Sequence, residues 1–344
     1  MIKNNNFDFL RFLFALLVVL SHAYPLSGSH ETKQWIFQVS NGQLVMAQIG
    51  LNGFFIISGF FIFQSLERSQ SLKEYFRKRF LRLFPALFFV LLFSVVLAPF
   101  VYNGSIPFLL NREVYTYIPY NLILYKFQSG IKGIFDTNPY HAINGSLWTI
   151  RYEFTLYIVL AFLFFIKNKK TKVVILCISY ILFLVLYNFY LVRFAGSSVL
   201  GFQGIHVLNL GTFFIAGSLL AVLNFEKIKN KKIILVIALL FIFIALRFSY
   251  YDSVKHILLP VIVLLIGFVP ITFLRDFGKA GDSSYGIYIY SFPVQQVLMY
   301  FFKMDTCMLM ITSVVISIAL GFLSWHFIEK KALHYKTISF NKIN

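Results

Sequence analysis

Two residues that are costly inside a membrane, Arg11 and His22, lie in the first apolar segment of the chain, residues 7–24. Positions eleven apart on a helix are separated by almost three full turns, so both side chains lie on one face, roughly 16 Å apart along the axis. A neutral imidazole accepts a proton from a hydroxyl group, as acyl transfer to an alcohol requires, and a guanidinium binds a phosphate or a carbonyl oxygen. The spacing therefore predicts a catalytic pair. The alternative is an Arg that reaches the cytoplasmic headgroups and a His that caps the outer helix end.

A second basic pair, Arg79 and Arg82, lies where the third apolar segment begins. Residues three apart on a helix share a face, and two guanidinium groups aimed together bind a phosphate. We expect Pro85 to bend or start the helix at this point. The pair is predicted to bind a nucleotide-bearing donor from the cytoplasm. The alternative is an ordinary cluster of cytoplasmic basic residues.

An acidic residue, Glu153, lies about two turns inside the fourth apolar segment, where an unpaired carboxylate is expensive. Arg151 is only two residues away and points to the opposite side of a helix. We therefore expect Glu153 to face a polar cavity or a partner on another helix, for which His22 is the candidate. Polar and aromatic residues at the entry of this segment are predicted to bind substrate, the aromatic ones by stacking on a sugar ring or, alternatively, as interface anchors. These residues are His141, Asn144, Ser146, Trp148 and Tyr152.

Two tyrosines of the ninth apolar segment, Tyr285 and Tyr288, are three residues apart and are expected to face the central cavity. The preceding residues 281–283 read Gly-Asp-Ser, which suggests a serine hydrolase. This interpretation is rejected, because the sequence opens a membrane helix and lacks a strand–turn context. Asp282 or Ser283 is predicted to cap that helix instead.

The composition is that of a membrane protein. The 344 residues are 59% hydrophobic and 13% charged, whereas soluble domains are about 25% charged. The net charge of +18 does not indicate nucleic-acid binding, because the Lys and Arg residues lie in short segments between apolar stretches. Cys177 and Cys307 form no disulfide or metal-binding pattern, and no metal is predicted.

The apolar pattern predicts an all-α, polytopic membrane protein with about ten transmembrane helices. Most of the 31 Lys and Arg residues fall on one side of the alternating segments, which predicts that both termini are cytoplasmic. The first segment lacks a small-residue cleavage site, so we expect it to be a retained helix rather than a signal peptide. The predicted spans are residues 7–24, 44–66, 80–101, 147–166, 173–192, 207–223, 233–248, 256–274, 283–302 and 308–328.

One transmembrane domain is predicted over residues 1–344, with a long outer loop at 102–146. Loops of this length tend to be functional. Within the loop, residues 115–127 are apolar but too few to span a bilayer, which predicts an interfacial or re-entrant segment.

Five motifs in order resemble the acyltransferase-3 family of bacterial membrane O-acyltransferases, over nearly the whole chain. Residues 7–22 resemble the family's Arg–x10–His first helix, and residues 53–60 its second helix. Arg79 and Arg82 followed by Pro85 are similar to its Arg–x–x–Arg segment. Residues 147–153 resemble its LWSLSVE signature, and residues 284–288 and 327–329 resemble parts of its last two helices.

This resemblance implies a ten-helix core that transfers an acyl group, usually acetyl from acetyl-CoA, to a glycan hydroxyl at the outer face. It implies that His22 is the catalytic histidine, that Arg11 is its partner and that Arg79 and Arg82 belong to the donor side. The family's ninth helix often carries a His two residues before its Pro, where this chain has Ser291. The C-terminal hydrolase-like domain of some members is not expected here. The membrane core would then complete the transfer or pass its product to another protein.

The sequence thus predicts a bacterial inner-membrane O-acyltransferase that takes acetyl-CoA as co-substrate and acts on a lipid-linked or surface polysaccharide such as O-antigen. In this interpretation His22 is the general base, Arg11 orients the thioester or a phosphate, and Glu153 orients or charges His22. Acyl-CoA, the glycan acceptor and membrane lipid are the expected partners. The alternative is a glycan or small-polar-molecule transporter or flippase, which would also need Arg, His and Glu within the membrane.

Overall fold

The structure, a computed structural model, describes residues 5–336, without the side chains of Phe273 and Arg275. Apart from one two-stranded hairpin, the regular elements of this range are helical. The helices are α1 (Phe7–Leu26), α2 (Trp35–Val39), α3 (Met46–Glu67), α4 (Leu72–Leu97), α5 (Arg112–Ile123), α6 (Trp148–Ala161), α7 (Lys169–Ala195), α8 (Gly204–Val222), α9 (Lys231–Arg247), α10 (Tyr251–Phe268), α11 (Thr272–Asp276), α12 (Ser284–Phe302), α13 (Thr306–Ser324) and α14 (Lys330–His334). The strands β1 (Ser198–Val199) and β2 (Phe202–Gln203) pair antiparallel.

The predicted all-α, polytopic membrane fold is confirmed. Within the described residues, eight helices are long and apolar enough to cross a membrane. Helix α9, with 17 residues, and helix α12, with 19, occupy the positions of the two other predicted spans. In the long loop, α5 has 12 residues, too few to span, as expected. Its place at the membrane surface, and the cytoplasmic position of both termini, stay predictions.

The start of α4 differs from the prediction. The helix begins at residue 72 rather than 80, so Arg79 and Arg82 lie within it and not at its first turn. The cause is a capping box, in which the Ser71 hydroxyl accepts a hydrogen bond from the Glu74 amide at 3.2 Å. The Glu74 carboxylate in turn accepts one from the Gln70 amide at 2.8 Å. These local bonds outweigh the polar composition of this stretch.

Two prolines, Pro85 in α4 and Pro270 after α10, affect the predicted helix boundaries in different ways. Pro85 lies inside α4 and does not start it, contrary to one of the two expectations for this residue. Helix α10 ends at Phe268 and not at the predicted residue 274. Val269 is extended there, with φ −66° and ψ 126°, because the following Pro270 disfavours the helical conformation of the residue before it.

The described chain divides into two compact units. The first contains residues 5–21, His30–Arg68 and Thr149–Ala280, and the second contains His22–Ser29, Ser69–Trp148 and residues 281–336. In the first unit, α3 and α8 pack closely through glycines. A Cβ added to Gly59 would lie 2.0 Å from the Phe214 carbonyl oxygen, and one added to Gly217 would lie 2.2 Å from that of Ile56. Small residues at such crossings allow membrane helices to approach each other.

Adding one methyl group at this crossing should destabilise the protein. We expect Gly59→Ala to lower the free energy of unfolding by about 1–3 kcal/mol, because an overpacked interface must move apart. Gly196→Ala is the matched control, since a Cβ at Gly196 meets no atom within 4 Å. Thermal unfolding of the purified proteins in detergent measures the difference. Equal unfolding temperatures for the two variants would contradict the close approach of α3 and α8.

In the second unit, α12 supplies much of the core. Most of its residues are buried, including the polar side chains of Ser291, Gln295 and Gln296. Helix α13 continues into α14 through a π-helical turn, Trp325–Glu329. The Ser324 hydroxyl, directly before this turn, donates to the Glu329 carboxylate at 3.1 Å.

Candidate functional site

One continuous helix carries both residues of the predicted catalytic pair. Arg11 and His22 lie on α1, which runs from Phe7 to Leu26 without a break. The helical spacing assumed from the sequence is therefore present. Residues up to Ser21 belong to the first unit, and His22 opens the second. A shared passage between the two side chains stays a prediction.

Within the described residues, the His22 imidazole has a ring nitrogen that makes no hydrogen bond. The side chain is half-buried, and its ring lies 5.3 Å from that of Phe292 at an interplanar angle of 74°. Its Nδ1 atom is buried and has no hydrogen-bond partner within residues 5–336. A buried polar atom normally has a partner, so a nitrogen in this state is suited to receive a group from outside the chain.

The loop before α6 brings three predicted substrate residues together in the second unit. The Asn144 amide donates to the Ile289 carbonyl at 2.8 Å, and its Oδ1 accepts from the Ser146 amide at 3.1 Å. The Tyr288 hydroxyl donates to the Ser146 carbonyl at 2.7 Å. All three residues are buried, so their side chains hold the loop against α12. Substrate binding by them stays a prediction.

The sequence analysis missed the α12 residues that fix this loop. The Gln296 side chain donates to the Tyr140 carbonyl at 2.6 Å and also to the Ala142 carbonyl. It accepts a hydrogen bond from Asn138 at 2.8 Å. Two adjacent glutamines inside an apolar segment were the available signal, because buried amides need partners. His141, flanked by these contacts, is exposed.

Phe292 is the second residue that was missed. Its ring contacts both His22 and Tyr140, the latter at 5.7 Å. A Cβ at Gly145 would lie 2.7 Å from the same ring, so only glycine fits there. The end of α1, the loop and α12 therefore meet around this phenylalanine. Phe292 is one apolar residue among many in its segment, so nothing in the sequence marked it for this role.

In the first unit, Arg11 and Glu153 each have partners. The Arg11 guanidinium lies 3.5 Å from the Asp8 carboxylate and 5.4 Å from the centroid of the Phe61 ring. The Glu153 carboxylate accepts hydrogen bonds from the Ser58 hydroxyl of α3, at 2.8 Å, and from the Tyr157 hydroxyl one turn along α6. The expectation that Glu153 has a polar partner on another helix is confirmed, and that partner is Ser58.

The two aromatic residues at the start of α6 differ in exposure. Tyr152 is buried, its hydroxyl accepts from the Gln203 amide at 2.8 Å, and its ring lies 4.9 Å from that of Phe202. Trp148 is half-buried at the first position of the helix. Stacking of either ring on a sugar stays a prediction.

The second unit also contains a network of charges around Arg82. Its guanidinium donates to the Asp282 carboxylate at 2.5 Å and to the Glu329 carboxylate at 3.2 Å. The Glu329 side chain is 1% exposed, so this carboxylate depends on its cation and on Ser324. The rings of Tyr285 and Trp325 lie 6.0 and 5.8 Å from the guanidinium carbon. Arg82 is therefore held in one orientation by two acids and two rings.

The neighbouring residues refine two expectations. Arg79 lies one turn before Arg82, with its guanidinium carbon 5.8 Å from the Tyr75 ring. Ser283 is the N-cap residue of α12, but its side chain makes no capping bond, and Asp282 instead accepts from Ser284 at 2.5 Å and from Arg82. Donor binding by Arg79 and Arg82 stays a prediction.

Comparison with known proteins gives a consistent result. The acyltransferase domain family matches residues 4–326. The chain is 30% identical to an O-acetyl transferase of Shigella phage Sf6 over 352 aligned positions, which cover 96% of each protein. It is 34% identical to nodulation protein 10 of Rhizobium leguminosarum bv. viciae over 182 positions, which cover 46% of this chain and 44% of that protein. No solved structure matches the chain.

Proposed function

The chain belongs to the acyltransferase domain family, and from that premise we propose that it is a membrane O-acetyltransferase that transfers an acetyl group from cytoplasmic acetyl-CoA to a hydroxyl of a lipid-linked or surface polysaccharide. The relative from phage Sf6, which is similar over nearly its full length, is named an O-acetyl transferase, and this supports the choice of acetyl. We further propose that the protein resides in the bacterial inner membrane, where acetyl-CoA is available on one side.

One observation carries the proposal: the buried Nδ1 of His22 has no partner in the described chain. A structural histidine would be expected to donate or accept within the fold. An imidazole that keeps a nitrogen for an outside group can bind a hydroxyl, and general-base catalysis needs this arrangement.

In the proposed reaction, His22 removes the proton of the acceptor hydroxyl as its oxygen attacks the thioester carbonyl carbon. An oxygen–carbon bond forms, the carbon–sulfur bond breaks, and coenzyme A leaves as a thiolate that takes up a proton. Arg11, roughly 16 Å away along the same helix, is too far to reach the attacked carbonyl, so its positive charge is proposed to bind a phosphate of the donor. Glu153, held by Ser58 and Tyr157, supplies a fixed negative charge.

The donor is proposed to bind near Arg79 and Arg82, since its diphosphate requires cations. The two carboxylates on Arg82 keep its guanidinium in place, so Arg82 acts mainly by fixing the geometry of the donor site. Arg79, one turn away on α4, is then the residue that contacts a donor phosphate directly.

Reconstitution tests the proposal against transport. The purified chain in lipid vesicles is supplied with acetyl-CoA labelled in the acetyl group and with a bacterial surface polysaccharide. We expect labelled acetyl esters on the polysaccharide by mass spectrometry and the release of one free thiol per ester. Movement of the glycan or of acetyl-CoA across the vesicle membrane without any ester would contradict the proposal and favour a transporter.

A further inference from the structure

A basic and aromatic cluster in the first unit is not used by the chemistry proposed above. It consists of Arg151, Tyr152, Phe202 and His206, and we call it the Arg151 cluster. Arg151 lies in the first turn of α6 and His206 in the first turn of α8. Both helix starts belong to the side of the membrane that the alternation of spans predicts to be the outer one.

Two aromatic rings fix the orientation of the guanidinium. The Arg151 guanidinium carbon lies 5.3 Å from the centroid of the Tyr152 ring and 5.6 Å from that of Phe202. The Tyr152 ring is held in turn by contact with Phe202 and by the Gln203 amide. A braced guanidinium loses little side-chain freedom when it binds an anion, which favours recognition.

The β1–β2 hairpin covers the guanidinium from one side. Its turn residues Leu200 and Gly201 have positive φ angles of 52° and 79°. A Cβ at Gly201 would lie 2.9 Å from the Arg151 Nη1 atom, so the turn approaches the charge more closely than another residue would allow. The His206 ring, 6.1 Å from that of Tyr152, adds an imidazole to the cluster.

The chain segment that contains Phe202 and His206 has no acidic residue. No Asp or Glu occurs from residue 154 to residue 225. The nearby Glu153 carboxylate is taken by Ser58 and Tyr157. A cluster of this kind is suited to an anion.

The depth of the cluster indicates which anion. The first turn of a membrane helix lies at the level of the lipid headgroups, where the phosphate groups of lipids are found. An Arg fork matches the geometry of a phosphate. We propose that the Arg151 cluster binds the phosphate group of the lipid that carries the acceptor glycan. This proposal rests on the proposed function, and it identifies the acceptor as a lipid-linked phosphate ester rather than a finished, phosphate-free polysaccharide.

A binding measurement tests the site without any need for activity. The probes are polyprenyl phosphate, polyprenol of the same length and phosphatidylglycerol, each added to the full chain in detergent. We expect polyprenyl phosphate to raise the unfolding temperature more than the other two do, and Arg151→Gln to abolish that difference. Arg247→Gln is the matched control, because Arg247 is an exposed arginine at the last position of α9, on the same predicted side. An equal effect of phosphatidylglycerol would assign the site to an ordinary phospholipid and overturn the proposal.

A kinetic measurement tests the role in transfer. One acceptor is an oligosaccharide of the host surface glycan linked through phosphate to polyprenol, and the other is the same oligosaccharide without phosphate. We expect Arg151→Gln to raise the KM for the linked acceptor by about 10- to 100-fold and to leave kcat, and the KM for the free acceptor, unchanged. An equal loss with both acceptors would mean a structural role and overturn the proposal.

Two further outcomes are informative. If Arg151→Gln does not fold, Arg151→Lys keeps the charge without the fork and should still weaken the phosphate-dependent rise in unfolding temperature. A full rise in that variant would overturn the proposal. If the unmodified protein transfers no acetyl group to either acceptor, the proposed function fails, and the binding measurement alone decides whether the phosphate site exists.

Discussion

His22→Ala should reduce acetyl transfer by about 10²- to 10⁴-fold, the usual contribution of a positioned general base. The buried Nδ1 of the imidazole has no partner in the described chain, so its removal breaks no hydrogen bond of that atom there. The loss is therefore expected in kcat, with little change in the unfolding temperature. The measurement is the rate of acetyl-ester formation in vesicles at saturating acetyl-CoA.

His326→Ala provides the matched control for this substitution. His326 is exposed, and its Nδ1 lies 2.9 Å from the Phe322 carbonyl oxygen, so it has no role in the proposed reaction. We expect this variant to keep the activity of the unmodified protein. Activity retained by His22→Ala, in a preparation that is folded, would remove the general base from the mechanism.

Arg82→Ala should cause a large loss of stability, because it leaves two carboxylates without their cation. Breaking a buried ion pair by removing one partner costs about 3–5 kcal/mol. Glu329 is 1% exposed and Asp282 is 14% exposed, so water offers little compensation to the first of these. We expect a strongly lowered unfolding temperature in detergent. Arg68→Ala, which removes an exposed arginine at the end of α3, should have little effect.

A double variant separates the structural role of Arg82 from a role in donor binding. Replacing Glu329 by Gln removes a buried negative charge, so Arg82→Ala combined with Glu329→Gln should recover part of the lost stability. If the recovered protein still binds acetyl-CoA with normal affinity, the role of Arg82 is structural and not in donor binding. An Arg82→Ala variant that unfolds like the unmodified protein would contradict the network described around this residue.

The sequence predicted the order of the long apolar helices well, because apolar segments separated by basic residues leave few alternatives. Eight of the ten predicted spans are long and apolar enough to cross a membrane in the described residues, and the number ten stays a prediction. The prediction failed at the start of α4, where the capping box of Ser71 and Glu74 adds two turns that composition alone assigns to a loop. That signal was present in the sequence, since a Ser followed three residues later by a Glu is a helix-start pattern.

The partners of the polar residues were harder to predict. The expense of burying Glu153 indicated that a partner exists, but the choice of Ser58 depends on how α3 and α6 pack. The same holds for Glu329 and Arg82, which are 247 residues apart in the chain. Local periodicity says which face a residue occupies and nothing about the helix opposite to it.

The roles of Phe292 and Gln296 could not be derived from one sequence. Phe292 is one of 43 phenylalanines, and its contact with His22 arises only when α12 and the end of α1 come together. The Gln296 side chain binds the backbone carbonyls of a loop that lies some 155 residues earlier in the chain. Backbone carbonyls are the same in every residue, so the sequence does not reveal them as partners. Such contacts appear only in three dimensions.

The π turn at Trp325–Glu329 affects how the last helix should be aligned with the sequences of related proteins. Such a turn accommodates one residue more than α geometry does, and each residue of a helix advances by about 100°. Five residues in π geometry turn the chain through about the same angle as four residues in α geometry, so a relative shorter by one residue here could form an unbroken α-helix and keep its acid in the direction from which Glu329 meets Arg82. An insertion or deletion of one residue within this turn therefore leaves the direction of the charge nearly unchanged, and alignments of related proteins should place their gaps there.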